Sequence, residues 1–457
     1  MFWLSGVLIS LAWGVGAFGS PYPWAYIPLL ASSATLGVTG LWLGRRGSGP
    51  SAVLVASLTL VFLAVIAQLV PLNASRLATL SPHAAAILRD QSVQFTLAGP
   101  ASHPLSIDPV RTQLGLACFG GFALLLLGGA RVLTRESATR LAGALVVLGV
   151  ALAIAGIVQR ATFNGRIYGV WELVQGGAPF GPFVNKNHFA GWMLMGLPVA
   201  LGYLLALVAR GMKGRQPGIR NLVVWFSSEL ASRAVLTGFA LVVMALSLVL
   251  TMSRSGITAC AVALLAVGVV AVRHESGASR RLFAAGYLAF LAITVVAWVG
   301  LDQIAARFAD VDVANINQRP AMWADTMRIA KDFWLTGTGL NTYGISTIFY
   351  QTSVPDAHLR EAHNDYLQLA AEGGLLLGLP VILVIVAFSR EVHRRLREDV
   401  GSIWWIRIGA VTGLLAIALQ STVEFSLQMP GNAAMFAVVA ALAIHDGRRQ
   451  HTAHDLP

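Results

Sequence analysis

The sequence predicts an all-α, polytopic membrane protein with about twelve transmembrane helices and one large helical external segment. Three observations carry that expectation. Of the 457 residues, 56% are hydrophobic and only 12% are charged, about half the charge of a typical soluble domain. The apolar residues come in runs of about 20, the length a helix needs to cross the hydrocarbon core, and they do not alternate as the strands of a membrane barrel would. Lys and Arg recur on every other loop, a pattern that fixes orientation in a membrane.

Taken in order, the spans begin with 2–18, which has no basic stretch ahead of it and reads as a first helix rather than a cleavable leader. Next come 24–43, closed by Arg45 and Arg46, and 52–72, which opens onto an external segment at 73–112. The pair 113–133 and 141–162 turns at Arg131, Arg135 and Arg140. A second external segment, 163–187, leads into 188–209, and Arg210, Lys213, Arg215, Arg220 and Arg233 follow. The spans 234–251 and 255–272 are joined by almost no loop. Arg273, Arg280 and Arg281 precede 282–301, and 302–372 then forms the largest external segment. The last spans are 373–389, 403–420 and 431–446; Arg390, Arg394, Arg395 and Arg397 follow the first of them, and Arg448 and Arg449 close the set. The basic loops mark the cytoplasmic face, so both termini lie inside. The chain divides into 1–301, with nine helices, 302–372, outside, and 373–457, with three helices and a cytoplasmic tail.

Composition also excludes. A net charge of +11 would suggest nucleic acid in a soluble protein, but here the charges sit in short loops between spans, and no nucleic-acid partner is expected. Cys118 and Cys260 both fall inside apolar runs and read as small core residues. The chain has no P-loop, no dinucleotide fingerprint and no Cys/His zinc spacing. A site on the external face has no access to cytoplasmic ATP or nucleotide sugars.

The longest polar stretch contains Ala362-His363-Asn364-Asp365-Tyr366-Leu367-Gln368 and runs on to Glu372-Gly373-Gly374. His363 is an imidazole set beside Asn364 and two carboxylates at the mouth of a helix bundle. Such a group takes a proton from a hydroxyl near neutral pH; a surface or capping histidine is the alternative. His358 and His363 are five apart and share a helix face poorly, which argues against a two-histidine metal site. Upstream, Asn317-Gln318-Arg319-Pro320 reads as a helix start with Pro in the first turn. Trp323, Met327, Ala330 and Trp334 recur at helical spacing, as do Met322, Ile329 and Phe333, while Asp325, Arg328, Lys331 and Asp332 take the opposite face. That pattern predicts an amphipathic helix lying at the membrane surface. In Gly337-Thr338-Gly339-Leu340-Asn341-Thr342-Tyr343-Gly344 the backbone amides could approach a phosphate; a plain turn is the competing reading.

Several cations lie on the outer side. Arg254, in Thr251-Met252-Ser253-Arg254-Ser255-Gly256, runs against the positive-inside bias. Drawn toward hydrocarbon it would cost up to about 3 kcal/mol, so it calls for an anionic partner: Glu372, Glu424 or a ligand phosphate. Snorkelling to the headgroups is the alternative. Arg160, Arg166 and Lys186 flank a further external segment. With Arg254 and Arg319 they could form a cationic pocket for a pyrophosphate, to which the guanidinium fork is suited. Glu424, in Ser421-Thr422-Val423-Glu424-Phe425, could hold one of these arginines. A nucleophile at Ser253 or Ser255 is disfavoured, because no His lies nearby in sequence and the motif is not Gly-x-Ser-x-Gly.

In this order the pieces resemble the O-antigen ligase and polymerase superfamily of bacterial envelopes. The matching stretches are Gly181-Pro182-Phe183-Val184-Asn185-Lys186-Asn187-His188-Phe189-Ala190, Ser253-Arg254-Ser255-Gly256, Arg319 to Trp323, Trp334 to Gly339, and His363-Asn364 through Glu372-Gly373-Gly374. They span about 160 to 440; the first 150 residues match only in hydropathy. The resemblance implies a membrane glycosyltransferase of the C-type architecture in the bacterial inner membrane, with its active site facing the periplasm. The donor it implies is a glycan on undecaprenyl pyrophosphate, and neither metal nor cofactor is needed. Carried onto this chain, it implies His363 as the base that acts on the acceptor hydroxyl. Arg254, Arg319, Arg166 and Lys186 would hold the pyrophosphate, with Asn364, Asn187, Glu372 and Glu424 in support. One direct displacement would invert the anomeric carbon.

The implied acceptor is the lipid A core in a ligase, the growing glycan in a polymerase, or a protein hydroxyl. A different class of function, a lipid-linked glycan transporter, would place charged or broken helices at the bilayer midplane. Here the mid-spans read as nearly charge-free, which favours the transferase.

Overall fold

The computed structural model describes residues 2–44, 49–91, 102–173, 177–212, 225, 227–274, 313–353, 358–399 and 401–446. Every predicted span coincides with a helix except 282–301, which lies outside the described residues, as do 302–312 of the external segment and the basic residues Arg45, Arg46, Lys213, Arg215, Arg220, Arg280, Arg281, Arg448 and Arg449.

In chain order the helices are α1 (Phe2–Gly16), α2 (Pro23–Leu43), α3 (Ala52–Leu69), two short ones, α4 (Ala74–Leu80) and α5 (Pro82–Gln91), then α6 (Pro109–Val132) and α7 (Arg135–Ala161). A two-stranded hairpin, β1 (Arg166–Ile167) and β2 (Trp171–Glu172), precedes α8 (Lys186–Met212). There follow α9 (Glu229–Leu250), α10 (Arg254–His274), α11 (Val313–Asp332), α12 (Tyr343–Tyr350), α13 (Asp365–Glu398), α14 (Ser402–Gln420) and α15 (Pro430–Ile444). Eight of these are long and apolar enough to cross a membrane, and α1, α15 and the first part of α10 are shorter apolar helices. The fold is therefore an all-α, multi-pass membrane protein.

Local chemistry sets the helix ends. The side chains of Ser51, Asn73, Asp108, Thr134 and Ser228 each accept a backbone N–H of the first turn they precede. Thr134 and Ser137 form a reciprocal capping box. Where two helices cross closely, glycines face each other: a Cβ on Gly128 would fall 2.1 Å from the Gly37 carbonyl oxygen, and one on Gly202 would fall 3.0 Å from the Gly409 Cα. Without a hydrophobic drive between helices in lipid, such close backbone approach is what packs them. α8 is the central column, apolar all round, and packs on α7, α9, α10, α14 and α15.

Three expectations change. α11 begins at Val313, so Pro320 lies inside the helix rather than in its first turn. Met322, Ile329 and Phe333 are buried as predicted, but Asp325, assigned to the polar face, is also buried. It accepts bonds from the backbone N–H and hydroxyl of both Thr352 and Ser353, and pairs with Arg328. Burial alone would raise its carboxyl; the bonds from Ser353 and Thr352 pull it well below the usual carboxylate range. The third change is a charge within a span. Arg407 sits in the second turn of α14 and is 0% exposed.

Arg407 belongs to an ionic network at one end of the bundle. Its guanidinium donates to Asp399 Oδ2 at 2.7 Å and to the carbonyls of Ala443 and His445. Asp399 also meets Arg135, while buried Arg395 bonds Glu391, Asp446 and the Gly49 carbonyl. The network ties the start of α7 and α14 to the ends of α13 and α15. The polar residues around His363 lie at the other end of α8, α13, α14 and α15.

Candidate active site

Four segments meet around His363: the start of α8, α11, the stretch leading into α13, and the connection from α14 to α15. Asn185 organises the first, its side chain accepting the Asn187 N–H at 2.9 Å and its carbonyl the His188 N–H at 3.1 Å. Asn364 caps α13 by accepting the Leu367 N–H at 3.0 Å. Ala362 is held on both sides: Trp323 Nε1 donates to its carbonyl at 3.0 Å, and its own N–H donates to Gln368 Oε1 at 2.9 Å. Between these anchors His363 takes a left-handed backbone, φ 49°. A non-glycine residue holds that conformation only where its surroundings determine it.

Glu424 is the hub. It is 1% exposed, and its Oε1 accepts from Arg319 Nη2 at 2.6 Å and from Asn187 Nδ2 at 2.8 Å. Its Oε2 lies 3.4 Å from His363 Nδ1. Burial alone would raise this carboxyl, but the hydrogen bond from His363 and the charge of Arg319 outweigh it and hold the group below the usual carboxylate range. A carboxylate facing Nδ1 favours the tautomer with the proton there. The Nε2 lone pair is then left to accept a proton, the arrangement of a base oriented by a third group. The His363 side chain is 29% exposed, so a substrate can reach it. Phe425, next to Glu424, meets the His363 ring edge-to-face with centroids 4.7 Å apart.

Glu372 serves another purpose. Its carboxylate accepts the backbone N–H of Asn341 at 2.8 Å and of Tyr343 at 2.9 Å, and the Gln368 amide at 3.1 Å. The other amides of the glycine-rich turn are also engaged. Thr338 N–H goes to Ala371 O, Gly339 N–H to Glu372 O, and Leu340 N–H to Gln68 Oε1. The turn thus cradles an internal carboxylate, and its amides are not available to a phosphate. Gly337, at φ 67°, has no room for a side chain, since a Cβ would fall 2.0 Å from Glu372 O.

The predicted cations divide. Arg319 is in the cluster. Lys186 opens α8, next to Asn187. Arg254 opens α10 and is exposed. A Cβ on Gly256 would fall 2.8 Å from the Ala190 Cβ, so the start of α10 lies against the first turns of α8. Of the carboxylates expected for Arg254, Glu424 is engaged by Arg319 and Glu372 by backbone amides. Arg166 stands apart on the exposed hairpin, paired with Glu172 at 2.8 Å. Ser253 is buried and caps α10 through the Gly256 N–H. Among the described residues, no three His, Cys, Asp or Glu side chains converge as a metal site would require.

Sequence reasoning missed several residues that build the site. Gln68, in α3, is fully buried; its amide donates to Thr336 O at 2.8 Å and to Glu372 O at 2.9 Å. Gln420 and Ser426 both donate to the Asn187 carbonyl, and Asn432 donates to the His188 carbonyl. The one available signal was a single side-chain amide in an otherwise apolar run.

Residues 239–383 match the family described as O-antigen ligase. That stretch runs from within α9, through Arg254, Arg319 and His363, into α13; Arg166, Lys186, Asn187 and Glu424 lie outside it. No curated protein matches the chain. The chain is a multi-pass membrane protein whose residues 239–383 are similar to the O-antigen ligase family.

Proposed function

We propose that this glycosyltransferase-like membrane protein moves a glycan from undecaprenyl pyrophosphate to a hydroxyl of the lipid A core, on the periplasmic face of the inner membrane. The observation that carries the reading is the shared carboxylate of Glu424, with the His363 imidazole on one oxygen and the Arg319 guanidinium on the other.

His363 Nε2 takes the proton of the acceptor hydroxyl as its oxygen attacks the anomeric carbon. The bond from that carbon to the pyrophosphate oxygen breaks, and the undecaprenyl pyrophosphate leaves with the electron pair. The imidazolium that forms is stabilised by Glu424, while negative charge on the leaving group is met by Arg319, Arg254 and Lys186. Arg166, on the hairpin, is placed in this reading to meet the outer part of the donor. Asn187 and Asn364 hold Glu424 and the start of α13, and Glu372 holds the turn after α11. A single displacement inverts the anomeric carbon, and a product of retained configuration would exclude it. Metal is not called for, because the donor is already activated.

The growing glycan is the alternative acceptor, as in a polymerase. The experiment that separates these readings is the lipid-linked glycan profile of the host after deletion of this gene, complemented with wild type or with His363→Ala. Long polymers stranded on undecaprenyl pyrophosphate, unrescued by His363→Ala, support the ligase. Stranded single repeat units identify a polymerase. An unchanged profile rules out the donor.

A further inference from the structure

His188 stands behind the proposed base and has no part in the chemistry above. It lies in the first turn of α8, is 5% exposed, and its buried Nε2 has no hydrogen-bond partner among the described residues. A buried histidine kept only as core usually bonds through its ring nitrogens. What the His188 ring does contact is Phe425, edge-to-face, with centroids 4.6 Å apart and planes at 77°. Phe425 in turn meets His363 at 4.7 Å and 89°. Phe425 is thus held between two imidazoles, buried on one side and partly exposed on the other. T-shaped contacts of this kind set the electropositive edge of one ring on the π face of the next, so each ring constrains the orientation of its neighbour.

The backbone around Phe425 is clamped to the same turn of α8. Asn187 Nδ2 donates to Glu424 at 2.8 Å, and Ser426 Oγ donates to the Asn187 carbonyl at 3.1 Å. Asn432 Nδ2 bridges the carbonyls of His188 and Ser426 at 2.9 and 3.0 Å. Residues 424–426 therefore sit as one piece on α8. Among the described residues, the His363 ring is met by Glu424 at 3.4 Å and by the T-shaped contact with Phe425. The first of these is long for a hydrogen bond. The second accordingly carries much of the orientation.

We propose that His188 is a positioning residue, which acts through Phe425 to hold the His363 imidazole with Nε2 toward the acceptor. The proposal rests on the assignment of His363 as the base. It requires ring shape at 188 rather than a second proton carrier.

The test is transfer kinetics of the full-length protein in nanodiscs, with an undecaprenyl-pyrophosphate glycan as donor and lipid A core as acceptor. His188→Ala, His188→Phe and Phe425→Leu are compared with wild type, with His363→Ala as control. Misplacing a base by a fraction of its reach lowers rate without weakening binding. His188→Ala and Phe425→Leu should each lower kcat about 10- to 100-fold with the donor KM unchanged. His188→Phe should keep kcat close to wild type. If His188→Phe is as impaired as His188→Ala, the imidazole nitrogens matter and positioning is wrong. A raised donor KM in His188→Ala means general loss of the site's structure and also overturns it, as does wild-type kcat in that variant. Should His188→Ala not fold, Phe425→Leu and His188→Phe still decide the matter. Full transfer by His363→Ala would instead sink the underlying reading, and is seen separately in the control.

Discussion

Arg407 and Arg319 each pair with a buried carboxylate, at opposite ends of the same bundle, with different consequences. Arg407 is 0% exposed and bonds Asp399 and two carbonyls from the end of α15. The pair is closed off from any ligand, and a charge in a span here marks architecture. Arg319 is 22% exposed, and its carboxylate, Glu424, is shared with a histidine and an asparagine. The same chemistry closes one end of the bundle, while at the other the guanidinium and the imidazole stay partly exposed. The difference lies in how many of each partner's hydrogen-bonding positions are already filled by the protein and in whether the head group is exposed.

The largest expected effect is at the open end. His363→Ala should lower glycan transfer about 10²- to 10⁴-fold, the range of a lost general base; transfer within a few-fold of wild type would remove the base from this site. Next comes the closed end. Arg407→Met leaves Asp399 buried without its main partner and should destabilise the protein by about 3–5 kcal/mol, read as a lower melting temperature in detergent. Adding Asp399→Leu should recover most of that loss, since replacing a buried pair by apolar groups is often neutral. If the single variant melts like wild type, the two ends do not differ as described.

Arg254 sharpens the comparison further. With a phosphate as its partner, Arg254→Lys should impair transfer nearly as much as Arg254→Ala, because a point charge does not replace a two-pronged contact. Full activity in the lysine variant would leave Arg254 a headgroup contact. The smallest effect concerns acid. The Glu424 carboxyl is held below its ordinary range in the folded protein, so it binds fewer protons folded than unfolded. Its contribution is present above the unfolded carboxylate pKa of about 4.3 and is lost as pH falls through the lower folded value. Melting curves from pH 3 to pH 7 should show wild type losing stability at the acid end more steeply than Glu424→Gln; parallel curves would mean that Glu424 is not held charged.

The helices were legible because each span is a long apolar run, and that signal is local. His363 was legible for the opposite reason, as an imidazole in the longest polar stretch of an apolar chain. The partners that define the site were only partly so. Glu424 was expected to hold an arginine, but its contact with His363, 61 residues away, is set by how α13 and α14 pack. Gln68 reaches across 268 residues to Thr336, and nothing around it in sequence marks it. Asp325 was assigned to solvent because helical periodicity counts a carboxylate as polar; it cannot register Thr352 and Ser353 folding back from a later loop to satisfy that carboxylate. Arg395 read as one of several cytoplasmic-loop cations, and it is a buried member of the ionic network.

The left-handed backbone at His363 bears on how a loaded complex could be captured. Asparagine is among the few residues that visit this conformation readily, whereas most side chains there cost about 1–2 kcal/mol. His363→Asn would therefore silence the base while keeping the chain path that Trp323 and Gln368 anchor through Ala362. Alanine would relax that path. The asparagine variant is the one in which donor and acceptor should accumulate side by side, unreacted, long enough to be imaged.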